Sequence, residues 1–91
     1  MKIITVCGMG MGSSLMLKMT VDDILAEHHI AAEVEACDLG SLDGRHADWV
    51  MTTEGLRAQV EPKGYPTLYV HNVIDKEAIE KTLLEAIAKK G

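Results

Sequence analysis

Residues 2–14 read KIITVCGMGMGSS, and this stretch decides the fold. Residues 2–6 are β-branched at four of five positions, which predicts a buried strand. The glycines that follow allow positive φ angles, and Ser13 or Ser14 offers an N-cap for a helix. The apolar side chains that then recur at helical spacing are Leu17, Val21, Ile24 and Leu25. The stretch therefore predicts a strand, a glycine-rich loop and an amphipathic helix that begins near Ser14.

The rest of the chain continues this alternation of strands and helices. Further strands are predicted over residues 31–37, 47–52 and 67–70. Helices are predicted over residues 54–60 and from an N-cap at Asp75 onward. The second strand alternates apolar and acidic residues, as an edge strand does, whereas the third suits the sheet centre. We expect one domain over residues 1–91, a three-layer α/β fold with a four-stranded parallel sheet and helices on both faces.

Length and composition argue against several classes of function. The chain has 91 residues and a net charge of −5, without a basic cluster, which argues against a nucleic-acid-binding protein. No apolar run approaches the roughly 20 residues that cross a bilayer, so we expect no direct membrane insertion. Two cysteines are too few for a disulfide framework and are typical of free thiols in a reducing compartment. The expected location is the cytoplasm.

The glycine-rich loop carries the predicted chemistry. Ligands of open α/β sheets bind beyond the carboxyl ends of the strands, and Cys7 stands at that edge. The loop amides and the start of the helix favour an anion, and they also favour the thiolate form of Cys7. Cys7 is thus the predicted nucleophile for a phosphoryl group. The predicted phosphate-binding residues are Gly8, Met9, Gly10, Met11, Gly12, Ser13 and Ser14.

Other uses of these residue types fit the spacing less well. A dinucleotide-binding loop that starts at Gly8 needs glycine or alanine where Ser13 stands, and no Gly-Lys-Ser/Thr follows for a nucleotide P-loop. Cys37 invites a redox pairing with Cys7, but a small buried residue is the simpler interpretation. Cys7, Cys37, His46 and His71 lack the short spacing of zinc ligands. We therefore expect no metal and no cofactor.

The loop Cys-Gly-Met-Gly-Met-Gly-Ser-Ser, followed by Leu-Met-Leu-Lys-Met, resembles that of sugar phosphotransferase system (PTS) IIB components of the lactose/ascorbate type. The ascorbate-specific branch is the most similar, through Gly12-Ser13-Ser14, Met16, Lys18-Met19 and Val21-Asp22. The resemblance implies a phosphocysteine relay, in which a phosphohistidine of a IIA protein donates to Cys7. Cys7 then passes the group to a sugar held by a membrane IIC permease. The resemblance also implies a four-stranded parallel sheet.

Two alternative functions remain open. The loop also resembles that of low-molecular-weight tyrosine phosphatases, where an arginine stands six positions after the cysteine. Here that position is Ser13, and an Asp-Pro general acid is missing as well, which argues against hydrolysis. The other alternative is a regulatory module that binds an anion without forming a covalent bond.

Several further residues are expected near the loop. Met9, Met11, Leu15 and Met16 form a pliant apolar rim in one interpretation, suited to two partners in turn, and pack under the loop in the other. Asp38 and His71 should follow the second and fourth strands at the same edge, where either can steer phosphoryl transfer, although the spacing does not require it. The sequence does not identify the sugar.

Overall fold

Four strands and three helices alternate along the chain. The computed structural model describes residues 1–7, 11–72 and 75–90, and for residues 7, 11–14 and 90 it describes the backbone only. The strands are β1 (Lys2–Cys7), β2 (Glu33–Asp38), β3 (Trp49–Thr53) and β4 (Thr67–Val70). The helices are α1 (Met11–Glu27), α2 (Arg57–Val60) and α3 (Lys76–Lys90).

All four strands pair in parallel, in the order β2-β1-β3-β4. Since β1 and β3 have neighbours on both sides, their residues face the core above and below the sheet. The predictions of a parallel sheet, of β2 as an edge strand and of β3 in the centre are confirmed.

Two apolar clusters cover the two faces of the sheet. The first cluster joins β1 to α1 and α3, and it includes the predicted helical residues Leu17, Val21, Ile24, Leu25, Ile79 and Leu83. The second cluster lies on the other face, where Ile4, Val6 and Val50 meet Leu42 and Val60. Helices therefore flank both faces as predicted, but on the second face the connections between the strands do much of the covering.

The start of α1 differs from the prediction. The helix begins at Met11, so both Ser13 and Ser14 lie inside it, and the N-cap assigned to them was wrong. Residues of a first helical turn lack intrahelical acceptors for their N–H groups in any case, so Gly12 is tolerated there. The loop before α1 is accordingly shorter than the sequence indicated.

The remaining boundaries shift by one or two residues. β2 and β3 each begin two residues later than predicted. Asp48 ends the connection before β3, because its carboxylate accepts from the Lys2 backbone N–H at 2.7 Å and its own N–H donates to the Lys2 carbonyl at 2.9 Å. The short helix predicted over residues 54–60 is a 3-10 turn followed by α2.

The connection between β2 and β3 is anchored in its middle. Leu42 is fully buried in the second cluster. The Tyr65 hydroxyl lies 3.0 Å from the carbonyl oxygen of Leu42 and 2.5 Å from that of Arg45, and these two oxygens share its one hydrogen. These bonds hold the segment that leaves the carboxyl end of β2. Across the described ranges, no helix is long and apolar enough to span a membrane.

Candidate functional site

The carboxyl edge of the sheet brings together the ends of all four strands. β1 ends at Cys7, β2 at Asp38, β3 at Thr53 and β4 at Val70. Cys7 pairs with Asp38 in the register of the sheet, and Thr53 pairs with Val70. Because the sheet is parallel, this is the edge at which α/β proteins bind their ligands.

The start of α1 follows the end of β1 after three residues. Gly8, Met9 and Gly10, three of the predicted phosphate-binding residues, lie outside the described residues. Met11, Gly12, Ser13 and Ser14 form the first turn of α1. The first N–H groups of a helix have no acceptor within it and carry a partial positive charge, so they are suited to an anion. The backbone thus puts a set of donors close in sequence to Cys7.

A buried hydrogen bond holds β1 at the residue before Cys7. Thr52 is buried, and its hydroxyl donates to the carbonyl oxygen of Val6 at 2.9 Å. The bond joins β3 to β1 from the side chain, in addition to the backbone ladder. The end of β1 is therefore held firmly against its central neighbour. Sequence reasoning missed Thr52, although a threonine in a predicted central strand is a signal for such a bond.

Asp38 is an exposed carboxylate at this edge. Its Oδ1 accepts from the backbone N–H of Ser41 at 2.7 Å and so caps a 3-10 turn over Leu39–Ser41. Hydrogen bonds from Ser41 lower the pKa of Asp38 below its ordinary value, despite a small opposing effect of burial. The prediction that Asp38 lies at this edge of the sheet is confirmed, and the register places it beside Cys7.

An arginine occupies the other flank of the edge, after β3. The Arg57 guanidinium donates to both carboxylate oxygens of Glu54, from Nε at 2.9 Å and from NH2 at 2.7 Å. It also lies 4.0 Å from the centre of the Tyr69 ring. The hydrogen bonds from Arg57 lower the pKa of Glu54, and His71 acts weakly in the same direction. The sequence signal for this group was the spacing of three residues between Glu54 and Arg57.

His71 follows β4 directly, so the prediction that it lies at the carboxyl edge is confirmed. It is exposed, two strands away from β1. The described structure therefore brings Asp38, rather than His71, next to the predicted nucleophile.

Cys37 is a buried thiol in the second cluster. Burial raises its pKa, which keeps the group protonated and unreactive at neutral pH. The interpretation of Cys37 as a small buried residue is confirmed. In the described ranges, no three His, Cys, Asp or Glu side chains lie close enough together to hold a metal ion.

The first turns of α1 expose apolar side chains. The exposed fractions are 47% for Leu15, 48% for Met16 and 64% for Met19. These three residues are named here the apolar patch. Met19 stands four positions after Leu15 and three after Met16, so it shares one side of the helix with both of them. Exposure of Leu15 and Met16 agrees with the predicted rim, to which the structure adds Met19. The side chains of Met9 and Met11 lie outside the description.

Together these features define a parallel α/β domain that presents a cysteine at its ligand-binding edge. The family model for the PTS lactose/cellobiose-specific IIB subunit matches residues 2–85. The chain therefore belongs to the PTS IIB family, and the resemblance found in the sequence is confirmed.

Related proteins agree with this assignment. An ascorbate-specific PTS system EIIB component of Mycoplasma pneumoniae is 31% identical over 88 residues, which cover 93% of each chain. The component of the same name from Salmonella typhimurium is 29% identical, over 94% of this chain and 88% of its own. The lactose-specific IIB domain of Streptococcus pneumoniae shares the fold, with a TM-score of 0.57, 11% identity, and coverage of 97% and 91%. As a IIB component, the chain is a phosphotransferase subunit of a sugar transport system.

Proposed function

We propose that the protein is a phosphocarrier that accepts a phosphoryl group on Cys7 from a phosphohistidine of a IIA protein. It then passes the group to a sugar bound by a membrane IIC permease. The observation that carries the proposal is the position of Cys7 at the carboxyl end of central strand β1, with three residues between it and the start of α1. The amides of a helix start favour a thiolate, which supports Cys7 as the nucleophile.

The relay consists of two displacements at phosphorus. In the first, the Cys7 thiolate attacks the phosphohistidine, the S–P bond forms, and the N–P bond breaks with its electron pair left on the imidazole. In the second, a hydroxyl oxygen of the sugar attacks the phosphorus as its proton passes to a base or to water. The S–P bond then breaks, and Cys7 leaves as a thiolate. Neither step consumes an oxidant or a metal ion.

The backbone amides of the loop and of the first turn of α1 would hold the phosphoryl oxygens. The proposed residues are Gly8, Met9, Gly10, Met11, Gly12, Ser13 and Ser14. Such donors stabilise the negative charge that spreads over these oxygens during transfer. With α1 beginning at Met11, Ser13 and Ser14 would contribute backbone amides of the first turn.

A stable carrier must transfer its phosphoryl group without losing it to water. Ser13 stands where the phosphatase loop has an arginine. Arg57 is the described arginine after β3, and it is already bound to both oxygens of Glu54. Both observations support a thiophosphate that waits for its acceptor, so we favour the relay over hydrolysis.

The proposed partners follow from this role. The apolar patch lies on the helix that begins beside Cys7, and it offers a pliant surface to the IIA donor and then to the IIC permease. The proposed sugar is ascorbate or a similar sugar acid, because the curated relatives described above are ascorbate-specific components. A free Cys7 thiol requires a reducing compartment, which supports a cytoplasmic location.

Intact mass after incubation with a phosphorylated IIA protein of an ascorbate-specific system tests the proposal. We expect one phosphoryl adduct, about 80 Da, that Cys7→Ser abolishes, since a serine hydroxyl is not ionised at neutral pH. Cys37→Ser is the matched control and should keep the adduct, because Cys37 is buried.

Two results would contradict the relay. Retention of the adduct in the Cys7→Ser variant would show that a residue other than Cys7 carries the phosphoryl group. Steady turnover of an aryl phosphate by the wild-type protein would instead favour a phosphatase.

A further inference from the structure

Asp38 is the direct neighbour of Cys7 in the sheet. The two residues are register partners at the carboxyl ends of β2 and β1. Adjacent strands lie about 4.8 Å apart, so a charge on Asp38 acts on the end of β1 at short range. No other described carboxylate is a register partner of Cys7, because the pairing of β1 with β3 ends at Thr5 and Met51.

The carboxylate of Asp38 is held in place and ionised. Its bond from the Ser41 N–H, 2.7 Å long, fixes the side chain at the end of β2. The same hydrogen bond keeps the pKa of Asp38 below its ordinary value, so the group is negative at neutral pH. The residue is nevertheless exposed, and its charge faces the solvent from which a partner approaches.

The positively charged side chains around this edge are paired with carboxylates other than Asp38. Arg45 is the cation that acts on Asp38, but its guanidinium is bound to Glu35 and to the Ser41 carbonyl. On α1, Lys18 pairs with Asp22 at 2.8 Å.

After β3, Arg57 is paired with Glu54, and His71 stands exposed beyond β4. Within the described ranges, no ion pair neutralises Asp38.

The charge of Asp38 already acts on one thiol. Burial is the main cause that raises the pKa of Cys37; the positive charge of Arg45 lowers this pKa, and the negative charges of Asp38 and then Glu35 raise it. Cys37 pairs with Val6, one step before Cys7 along the sheet. A carboxylate that acts on this thiol is also placed to act on the end of β1.

We propose that Asp38 is a positioning residue, an inference that rests on the proposed function. Its negative charge disfavours the phosphorylated form of Cys7 and so favours onward transfer of the phosphoryl group. A phosphoryl group brings close to two negative charges, whereas a thiolate brings one. Repulsion from a fixed carboxylate therefore raises the free energy of the phosphorylated state more than that of the unphosphorylated one. The sugar acceptor then receives the group more readily.

The first measurement is the equilibrium of phosphorylation by the phosphorylated IIA protein, read by intact mass. Asp38→Asn removes the charge but keeps an oxygen that can accept from Ser41. We expect the equilibrium constant for phosphorylation to rise about three- to tenfold, as repulsion across several ångströms of partly aqueous surroundings predicts. Asp38→Glu should restore the wild-type value, because it restores the charge.

The matched control is Glu33→Gln on the same strand. Glu33 is an exposed carboxylate whose register partner is Lys2, at the opposite end of β1. It lies about 16 Å along the strand from Asp38, which is beyond the range of effective interaction in salt. We expect this variant to leave the equilibrium unchanged.

The second measurement is the pH profile of Cys7 alkylation by iodoacetamide, made in a Cys37→Ser background. Removing a nearby negative charge favours the thiolate, so Asp38→Asn should lower the pKa of Cys7 by about half a unit to one unit. A residue that serves only to cap the turn at Ser41 would leave this profile unchanged in the asparagine variant.

The outcomes separate the two proposals. An adduct on the wild-type protein, with the same equilibrium and the same alkylation profile in Asp38→Asn, overturns the role of Asp38 alone. Failure of the wild-type protein to form any adduct overturns the proposed relay and this role with it. An equal change of the phosphorylation equilibrium in the Glu33→Gln variant would also overturn the role of Asp38, since the effect would then come from the net charge of the protein.

Discussion

The two ends of the sheet are stabilised in different ways. At the amino end of β1, a charged group links two strands, because the Lys2 ammonium lies 3.0 Å from Glu35 on β2. Arg45, from the connection that follows β2, binds the same carboxylate. At the carboxyl end, charged groups bond within their own connection, as Asp38 does with Ser41 and Glu54 with Arg57. The amino end thus holds the strands together, whereas the carboxyl end keeps its surface available to other molecules.

This difference matches the chemistry proposed for the carboxyl end. A carrier that meets two partners in turn needs a surface whose groups are not consumed by links across the sheet. The buried bond from Thr52 to Val6 holds that end from beneath, where it does not affect the surface. At this edge, buried groups therefore stabilise the end of β1, while exposed groups stay accessible to a partner.

The connection between β2 and β3 joins the two ends, and Leu42 is its buried anchor. We expect Leu42→Ala to lower the free energy of unfolding by about 2–5 kcal/mol, because it leaves a cavity in the second cluster. Urea denaturation measures the change. The half-buried Leu39, in the same connection, is the control, and its replacement by alanine should cost roughly 1 kcal/mol. Equal losses for the two variants would show that the middle of the connection is not its anchor.

The apolar patch should matter for transfer but not for stability. We expect the double variant Leu15→Ala, Met16→Ala to slow phosphoryl transfer from the IIA protein about tenfold, which corresponds to about 1.4 kcal/mol of lost binding. Its free energy of unfolding should change by less than about 0.5 kcal/mol, since both side chains are exposed. Quenched-flow transfer assays and urea denaturation give the two values.

A control for the patch is Leu84→Ala on α3, which also removes a partly exposed leucine from a helix. We expect it to leave the transfer rate unchanged. An unchanged rate in the double variant itself would contradict a docking role for the patch.

Removal of the ion pairs of Glu35 should have the smallest effect on stability, and this effect should depend on pH. Hydrogen bonds from Lys2 and then Arg45 lower the pKa of Glu35 below 4.5 in the folded protein. A lowered folded-state pKa stabilises the fold above pH 4.5, and this contribution is lost as the pH falls through the folded value. We expect the Tm of the wild type to exceed that of Glu35→Gln at pH 7, and we expect this difference to shrink as the pH falls below 4.5.

Thermal melts at several pH values measure this difference, with Glu33→Gln as the control on the same strand. A difference that persists unchanged at pH 3 would show that Glu35 acts through packing and not through its charge. The alkylation rate of Cys7 in Glu35→Gln at pH 7 should equal the wild-type rate, because the charge of Glu35 is already paired with Lys2 and Arg45.

The sequence by itself determined the order of elements, the core of α1 and the position of Cys7 at the end of a strand. These follow from local rules: β-branched runs form strands, apolar residues at helical spacing form a buried face, and glycines separate the two. The start of α1 was misplaced because Ser13 and Ser14 are good N-caps, while the geometry of the loop decides which residue takes that role. Helix ends are the part of a helix that local sequence determines least.

The tertiary structure alone decided which groups surround the end of β1. Strand order and register are set by packing across the whole sheet, so no local pattern shows that Asp38 pairs with Cys7 or that Thr52 bonds to Val6. Nor does the sequence tell which carboxylates link separate elements, as Glu35 does, and which stay within their own connection, as Asp38 does. These facts depend on contacts between residues far apart in the chain, which form only when the sheet closes around its core.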